Sequence, residues 1–401
     1  MPHERIIYSL TDTDLYKFTM MQAVANHYPQ IRAGYQFINR GKTSFPPGFS
    51  SALQEQIEMM SECRFTNHEE EFLQKSCGHF LKPTLFDLLK GYRFDPRQVH
   101  ISQTEKGELN LSIEGLWYQT ILWEVPLLAI ISELYFKMTG QPPDGEWQKR
   151  VRAKGDALRK AGARFADFGT RRRYSYEIQE EVIRCLIDSA RKVKDGGVFI
   201  GTSNVHFARL WGLTPIGTVA HEWFMAHAAM FGYRWATAKS LQVWADEFEG
   251  QLGIALSDTF TTPEFLRHFN AYFARLFDGV RQDSGDPFEI LEMVINHYLK
   301  LHINPLYKTF VPSDGLDVSK VLALTEACQN RIQCSFGIGT NLTNDVGVEP
   351  LNMVIKLSHI ILSDGTIVPT IKLSDNRGKY TGDLEEIVMA IRELRLPIQA
   401  A

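Results

Sequence analysis

Apolar residues recur along this chain with two different periods, and the places where one gives way to the other mark its organisation. Near the start, Leu15, Phe18, Met21 and Val24 fall at helical spacing behind the caps and acids of Thr11-Asp12-Thr13-Asp14, which predicts a helix start with Tyr16 one position from the apolar stripe. Residues 33–39 alternate as a strand, 42–49 hold two prolines and read as loop, 69–89 read as helical segments broken at Pro83, and 109–113 form a short alternating strand. Residues 122–138 form a strongly apolar helix with Pro126 in its first turns; its 17 residues include Glu124 and Glu133, which suits a core helix. Gln141-Pro142-Pro143-Asp144-Gly145 then reads as a domain boundary.

Beyond that boundary apolar strands alternate with amphipathic helices, and several strands end in the same dipeptide. Phe168-Gly169-Thr170, Ile200-Gly201-Thr202, Ile216-Gly217-Thr218 and Ile338-Gly339-Thr340 each place Gly-Thr where a strand should turn into a loop or helix, as if on one shared rim. Runs at 253–256, 279–283, 309–314 and 352–357 bring the strand candidates to about eight, with helices expected over 177–193, 289–299 and 318–327. Their spacing, near the roughly 30 residues of a βα unit, favours an α/β barrel over a doubly wound sheet. The tail returns to a hairpin over 359–373 around Ser363-Asp364-Gly365-Thr366 and a helix over 383–396. The expected organisation is therefore a domain over 1–145 completed by 358–401, and a barrel over 146–357.

Composition narrows the function. The 401 residues exceed what one core usually supports, and 44% hydrophobic and 22% charged residues with a formal charge of -4 describe a soluble globular protein without the basic excess of a nucleic-acid binder. Cys63, Cys77, Cys185, Cys328 and Cys334 are odd in number and lack C-x-x-C spacing, which argues against a disulfide framework or structural zinc. No stretch approaches a membrane span, and Met1-Pro2-His3-Glu4-Arg5 lacks signal-peptide character. A cytoplasmic protein with no membrane or nucleic-acid partner is expected.

Candidate chemistry collects at the strand ends. Pro215-Ile216-Gly217-Thr218-Val219-Ala220-His221-Glu222-Trp223 reads as strand end, tight turn and helix start, with Gly freeing the backbone, Thr available as a cap, and His221 pointed into a mouth. Arg171, Arg172, Arg173, Arg281, Asp283, Asp286 and Asp314 lie near the same rim, a mixture suited to an anionic, metal-associated substrate. Phe336-Gly337-Ile338-Gly339-Thr340-Asn341 offers backbone N–H groups to an anion but lacks the Walker pattern. Asp283-Ser284-Gly285-Asp286 fits either a turn with Asx bonds or a site for ribose hydroxyls or Mg²⁺. A metal-dependent hydrolase using His206, His221, Asp258, Asp283 and Asp314 is the alternative from another reaction class, disfavoured because no H-x-H opens the first barrel strand.

Six segments, taken in order, carry a resemblance: residues 11–20, Phe168-Gly169-Thr170-Arg171-Arg172, Gly201-Thr202-Ser203-Asn204, Gly217-Thr218-Val219-Ala220-His221-Glu222, residues 280–286, and Gly337-Ile338-Gly339-Thr340-Asn341-Leu342. Together they resemble the nicotinate phosphoribosyltransferases of the bacterial type, over nearly the whole chain. The resemblance implies the type II phosphoribosyltransferase fold, an irregular α/β barrel beside an α+β open-faced sandwich built from both chain ends. It also implies a reaction in NAD biosynthesis, in which nicotinate and phosphoribosyl pyrophosphate give nicotinate mononucleotide and pyrophosphate, coupled to ATP hydrolysis and assisted by Mg²⁺. The family's transient phosphohistidine falls on His221, its nicotinate contacts on Tyr16, Thr218 and Arg281, and its 5-phosphate contact on Thr340, beside Gly339. Arg171 and Arg172 would bind substrate anions; Asp283 would serve catalysis and, with Asp286, the metal. The partner orienting His221 stays open between Glu222, Asp283 and Asp258. Neutral Ser203, where nicotinamide-using relatives carry aspartate, favours the acid, and a quinolinate-type enzyme would need no phosphohistidine. A homodimer is usual among such relatives.

Overall fold

The computed structural model describes residues 4–191 and 197–397. Its strands are β1 (Arg32–Asn39), β2 (Val99–Gln103), β3 (Leu109–Leu116), β4 (Arg164–Asp167), β5 (Val198–Thr202), β6 (Ile254–Leu256), β7 (Gly279–Gln282), β8 (Thr309–Pro312), β9 (Gln333–Cys334), β10 (Phe336–Ile338), β11 (Met353–Ile361) and β12 (Ile367–Pro369). A five-stranded antiparallel sheet runs β12-β11-β1-β3-β2, so strands from both chain ends share its ladders. Two parallel sheets, β10-β4-β5 and β6-β7-β8-β9, carry the middle of the chain, and the consecutive segments β9 and β10 pass from one to the other.

Two expected strands differ from this arrangement. The run at 352–357, read as one of the eight rim strands, is β11 of the antiparallel sheet, where Leu357 pairs with Tyr35 and Ile355 with Phe37. Its alternation cannot say which sheet it joins, because both offer a buried face. Residues 215–216 make only a single bridge, Pro215 to Thr202, because Pro215 has no N–H to give and the chain leaves the sheet at once. Among the described residues no ladder joins this segment to β6.

The helices follow the apolar pattern closely. Leu15–His27 buries Leu15, Phe18, Met21 and Val24 as expected, but it also buries Tyr16, Lys17, Thr19 and Gln22, so it is enclosed on every side in its first turns. Glu124–Thr139 is the core helix, Tyr176–Arg191 carries the expected stripe, and Pro287–Lys300, Val318–Cys328 and Leu384–Glu393 match their sequence patterns. The expected continuation through Lys192 and Val193 lies outside the described residues, as do Met1 to His3 and 398–401. Pro83 starts a helix, Pro83–Gly91, rather than ending one, and the actual break from Asn67–Cys77 falls at residues 78–82. Residues 42–48 are loop, but Phe49 opens a further helix, Phe49–Met60. All five cysteines are free thiols. No helix among the described residues is long and apolar enough to cross a membrane.

Candidate functional site

The strand ends of both parallel sheets and the face of β11 enclose one cavity of about 760 Å³. Tyr16, Arg171, Arg172, Thr218, His221, Arg281, Asp283, Gly339 and Thr340 all line it, joined by Asp14, Arg40, Glu124, Ser203, Asp314, Lys356, Lys372 and Lys379. Close backbone packing makes the mouth. At Gly201 φ is 147° and a Cβ would lie 2.0 Å from the Thr214 carbonyl oxygen, so only glycine lets the 215–220 segment cross the end of β5. A Cβ on Gly217 would meet the Tyr16 backbone nitrogen at 3.0 Å, which holds Tyr16 and Thr218 side by side.

His221 is the first residue of helix His221–Phe231, with Ala220 at the N-cap; Thr218 is not the cap its sequence position suggested. Its Nδ1 meets Thr259 Oγ1 at 3.0 Å, and its Nε2 lies 3.0 Å from Asp283 Oδ2, 3.0 Å from Lys372 Nζ and 3.9 Å from Asp258 Oδ1. Burial first, and the neighbouring Lys372 cation next, push its pKa down to about 4, so the imidazole is neutral near pH 7. Burial alone would raise the Asp283 pKa, but Arg281 and His221 outweigh it and hold the carboxyl well below its usual range. Asp283 Oδ1 also accepts from Ser313 Oγ at 2.8 Å, which fixes the carboxylate's plane.

Glu222 turns away, because successive residues at a helix start point about 100° apart. It is buried under the site, accepting from Lys17 Nζ at 2.6 Å, Tyr35 Oη at 3.0 Å and Trp117 Nε1 at 3.1 Å. Of the three carboxylates left open by the sequence, Asp283 therefore meets His221 directly and Asp258 stands behind it. Tyr16 shows the same front-and-back division with its neighbour. Its ring lines the cavity and its hydroxyl donates to Glu124 at 3.4 Å, while Lys17 reaches back to Glu124 and Glu222.

The three successive arginines divide likewise. Arg171 reaches Glu124 at 3.3 Å and Arg172 donates to the Met353 carbonyl at 2.9 Å, both beside the cavity, whereas Arg173 is fully buried in a pair with Asp12 at 2.8 Å. Burial, then repulsion from Arg171 and Arg40, push the Arg172 pKa down to about 10. Lys356 falls to about 7 through burial and the charge on Lys372, and burial also lowers Arg40. Among the described residues none of Arg40, Arg172 and Lys356 has an ion pair with a carboxylate within 4.0 Å. On this wall of the cavity Asp314, Asp283 and Glu124 act on the three cations only from beyond direct contact. Ser203 Oγ donates to Asp14 at 2.8 Å, so a neutral hydroxyl faces the cavity in front of a buried carboxylate.

Asp286 lies apart from the cavity. It is exposed, and its Oδ1 accepts from the Phe288 and Glu289 N–H groups as the N-cap of Pro287–Lys300. Gly285, with φ of 78°, turns the chain between Asp283 and Asp286 and sends their side chains to different faces. Sequence reasoning passed over Arg40, Lys356, Lys372, Lys379 and Thr259. Two of these leave a trace in the pattern: Lys356 and Lys372 interrupt apolar runs, Ile355-Lys356-Leu357 and Ile371-Lys372-Leu373, where a lysine needs a reason to be buried.

Known proteins match this chain along nearly all its length. The nicotinate phosphoribosyltransferase (NAPRTase) N-terminal domain model matches residues 11–132, and the nicotinate phosphoribosyltransferase (NAPRTase) family model matches residues 163–395. The nicotinate phosphoribosyltransferase of Desulforapulum autotrophicum is 50% identical over 392 residues, covering 97% of this chain and 99% of that protein. That of Chromohalobacter salexigens is 47% identical over 395 residues, covering 98% and 99%. The solved structure of the Porphyromonas gingivalis enzyme superposes with a TM-score of 0.94 at 40% identity, covering 98% of this chain and all of that one; the Vibrio cholerae enzyme gives 0.91 at 36%, covering 98% and 95%. With its rim residues gathered at one cavity and its relatives aligned end to end, the chain belongs to the nicotinate phosphoribosyltransferase family.

Proposed function

We propose that the cavity transfers the phosphoribosyl group of phosphoribosyl pyrophosphate to nicotinate and couples this to ATP through transient phosphorylation of His221. The observation that carries the reading is the wall of Arg40, Arg172 and Lys356, three basic side chains lining one cavity with no carboxylate within 4.0 Å among the described residues, a place suited to a polyanion. Substitution at the anomeric carbon passes through an oxocarbenium-like state with pyrophosphate departing, so the site must hold two anionic reactants together and stabilise the leaving charge. Arg281 suits the nicotinate carboxylate, Tyr16 stacks on the ring, and Thr218 borders it; Gly339 and Thr340 take the 5-phosphate with backbone and hydroxyl donors, and Arg171 supports the same substrates. His221 is neutral and buried, as a nucleophile toward a γ-phosphate requires, and the charge of about -2 it gains would reorganise the cations around it.

Mg²⁺ fits this donor set only with help from substrate. Among the described residues no cluster of three or more His, Cys, Asp or Glu could hold a metal alone, but Asp283 and Asp314 both line the cavity and would complete a shell of pyrophosphate oxygens. When bound there it neutralises the leaving group. Asp286 is committed to its helix cap and takes no part.

We further propose that the two parallel sheets form an irregular barrel over 146–357, beside a sandwich of 1–145 with 358–401 to which β11 also contributes, and that the protein works as a cytoplasmic homodimer. Size-exclusion chromatography with light scattering tests the dimer. For the reaction, nicotinate mononucleotide should form faster with ATP than without, and no product under either condition would overturn the reading. His221→Ala should abolish the acid-labile phosphate left by γ-labelled ATP while the melting curve is kept; label retained in that variant moves the role to His206 or His227.

A further inference from the structure

We infer that Thr19 is a positioning residue of the nicotinate pocket: its hydroxyl ties the Thr218 carbonyl to helix Leu15–His27 and so sets the gap between Tyr16 and Thr218. This rests on the substrate reading above, in which Tyr16 stacks on the pyridine ring and Thr218 borders it. Thr19 is fully buried behind the cavity wall, three residues on from Tyr16.

The segment 217–220 that carries Thr218 belongs to no helix or strand. Packing brings it against one face of helix Leu15–His27, where Leu15, Tyr16, Thr19 and Met20 follow at helical spacing. A Cβ on Gly217 would lie 3.0 Å from the Tyr16 nitrogen and 3.2 Å from the Leu15 Cβ, so the two backbones touch there. Contact of that kind has no direction, and the orientation of the next peptide must come from hydrogen bonds. Among the described residues three such bonds reach 217–220 from other elements. The Ala220 N–H meets Met20 Sδ, a weak acceptor, at 3.4 Å. Arg281 Nη1 donates to the Val219 carbonyl at 3.4 Å, but the same guanidinium is the one suited to the nicotinate carboxylate. Thr19 Oγ1 donates to the Thr218 carbonyl at 2.8 Å, the shortest of the three, and among the described residues that carbonyl has no other partner.

The helix aims the hydroxyl. Thr19 Oγ1 also lies 3.0 Å from the Tyr16 carbonyl, three residues back, which a helical threonine reaches in one of its two favoured rotamers. A hydroxyl has one proton to give, and the Tyr16 carbonyl already receives the helical N–H of Met20, so the proton goes to Thr218. One side chain therefore touches the carbonyls of both residues that face nicotinate. Arg172, Lys356, Gly339 and Thr340, on the phosphate side, make no hydrogen bond to Thr19 among the described residues. Loss of the link should bear on nicotinate and spare phosphoribosyl pyrophosphate.

Thr19→Val keeps the shape and the β-branch but removes the hydroxyl, leaving a buried carbonyl without a donor. In steady-state assays of the full chain with ATP and Mg²⁺, it should raise the KM for nicotinate about 10-fold, the size of one such lost bond, and move the KM for phosphoribosyl pyrophosphate by less than about 2-fold. Thr19→Ser, which restores the hydroxyl, should return the nicotinate KM to near the parent value. A parent-like nicotinate KM in Thr19→Val overturns the assignment, as does an equal rise in both KM values, which a general loosening of the fold would give. A parent without turnover would instead sink the substrate reading, and the crystal structure of Thr19→Val then decides. In it the Thr218 carbonyl should have turned away from residue 19, and a 217–220 segment that superposes on the parent overturns the assignment. If Thr19→Val does not fold, Thr19→Ala takes its place in both measurements under the same criteria.

Discussion

Replacing Lys17 with methionine isolates the charge layer under the site. Lys17 is fully buried, with its ammonium 2.5 Å from Glu124 Oε2 and 2.6 Å from Glu222 Oε2. Burial would raise the Glu124 pKa, yet Lys17, then Arg171 and Lys356, bring it from 4.5 down to about 2. A fall of that size corresponds to about 3 kcal/mol of folding free energy. Because the folded-state value is depressed, this contribution is complete above the unfolded pKa near 4.5 and disappears as pH falls toward 2. Lys17→Met keeps the volume and removes the cation, leaving two carboxylates in the interior, at a cost of about 3–5 kcal/mol. Arg171 still answers Glu124 at 3.3 Å, whereas Glu222 keeps only the neutral donors Tyr35 and Trp117. Glu222 is then a buried anion with no cation in contact, the arrangement that burial penalises most. Protonation relieves an unpaired buried carboxylate, so the loss caused by Lys17→Met should be smaller in acid than in base. Differential scanning calorimetry at pH 5.5 and pH 8 should show a melting temperature about 4–6 °C below the parent at the higher pH and a smaller gap at the lower one. Glu222→Gln added to Lys17→Met should recover part of the loss. A gap under about 2 °C at pH 8, or one of equal size at both pH values, would refute the account.

Other expectations follow from the same geometry. Because Lys356 titrates near 7 and is charged only below that value, the KM for phosphoribosyl pyrophosphate should rise between pH 6 and 8, and Lys356→Arg should flatten that profile in steady-state assays. Arg281→Lys replaces a planar fork by a point charge and should raise the KM for nicotinate by about 10-fold or more, with a smaller effect on phosphoribosyl pyrophosphate. Asp286→Ala should cost about 1 kcal/mol of stability through the lost helix cap and leave the Mg²⁺ dependence of turnover unchanged, whereas Asp283→Asn should alter it. Gly201→Ala, whose Cβ would lie 2.0 Å from the Thr214 oxygen, should lower both the melting temperature and activity, since the 215–220 segment cannot shift without moving His221.

What the sequence determines by itself is local. Leu15, Phe18, Met21 and Val24 specify one face of a helix, the Gly-Thr dipeptides mark where β4, β5 and β10 must turn, and order along the chain carries the family resemblance. These signals lie within a few residues, so periodicity and backbone freedom suffice to read them. The tertiary structure decides what depends on distant partners. It puts 353–361 beside β1, so that Lys356 faces the cavity, and carries Lys372 from the tail to His221. It also turns Glu222 inward to Lys17 while Asp283 meets the imidazole, and withdraws Asp286 into a helix cap. A side chain's charge is written in the sequence, but its partner is chosen by packing. Lys356 and Lys372 look like interruptions of apolar strands until the fold places them on the cavity wall.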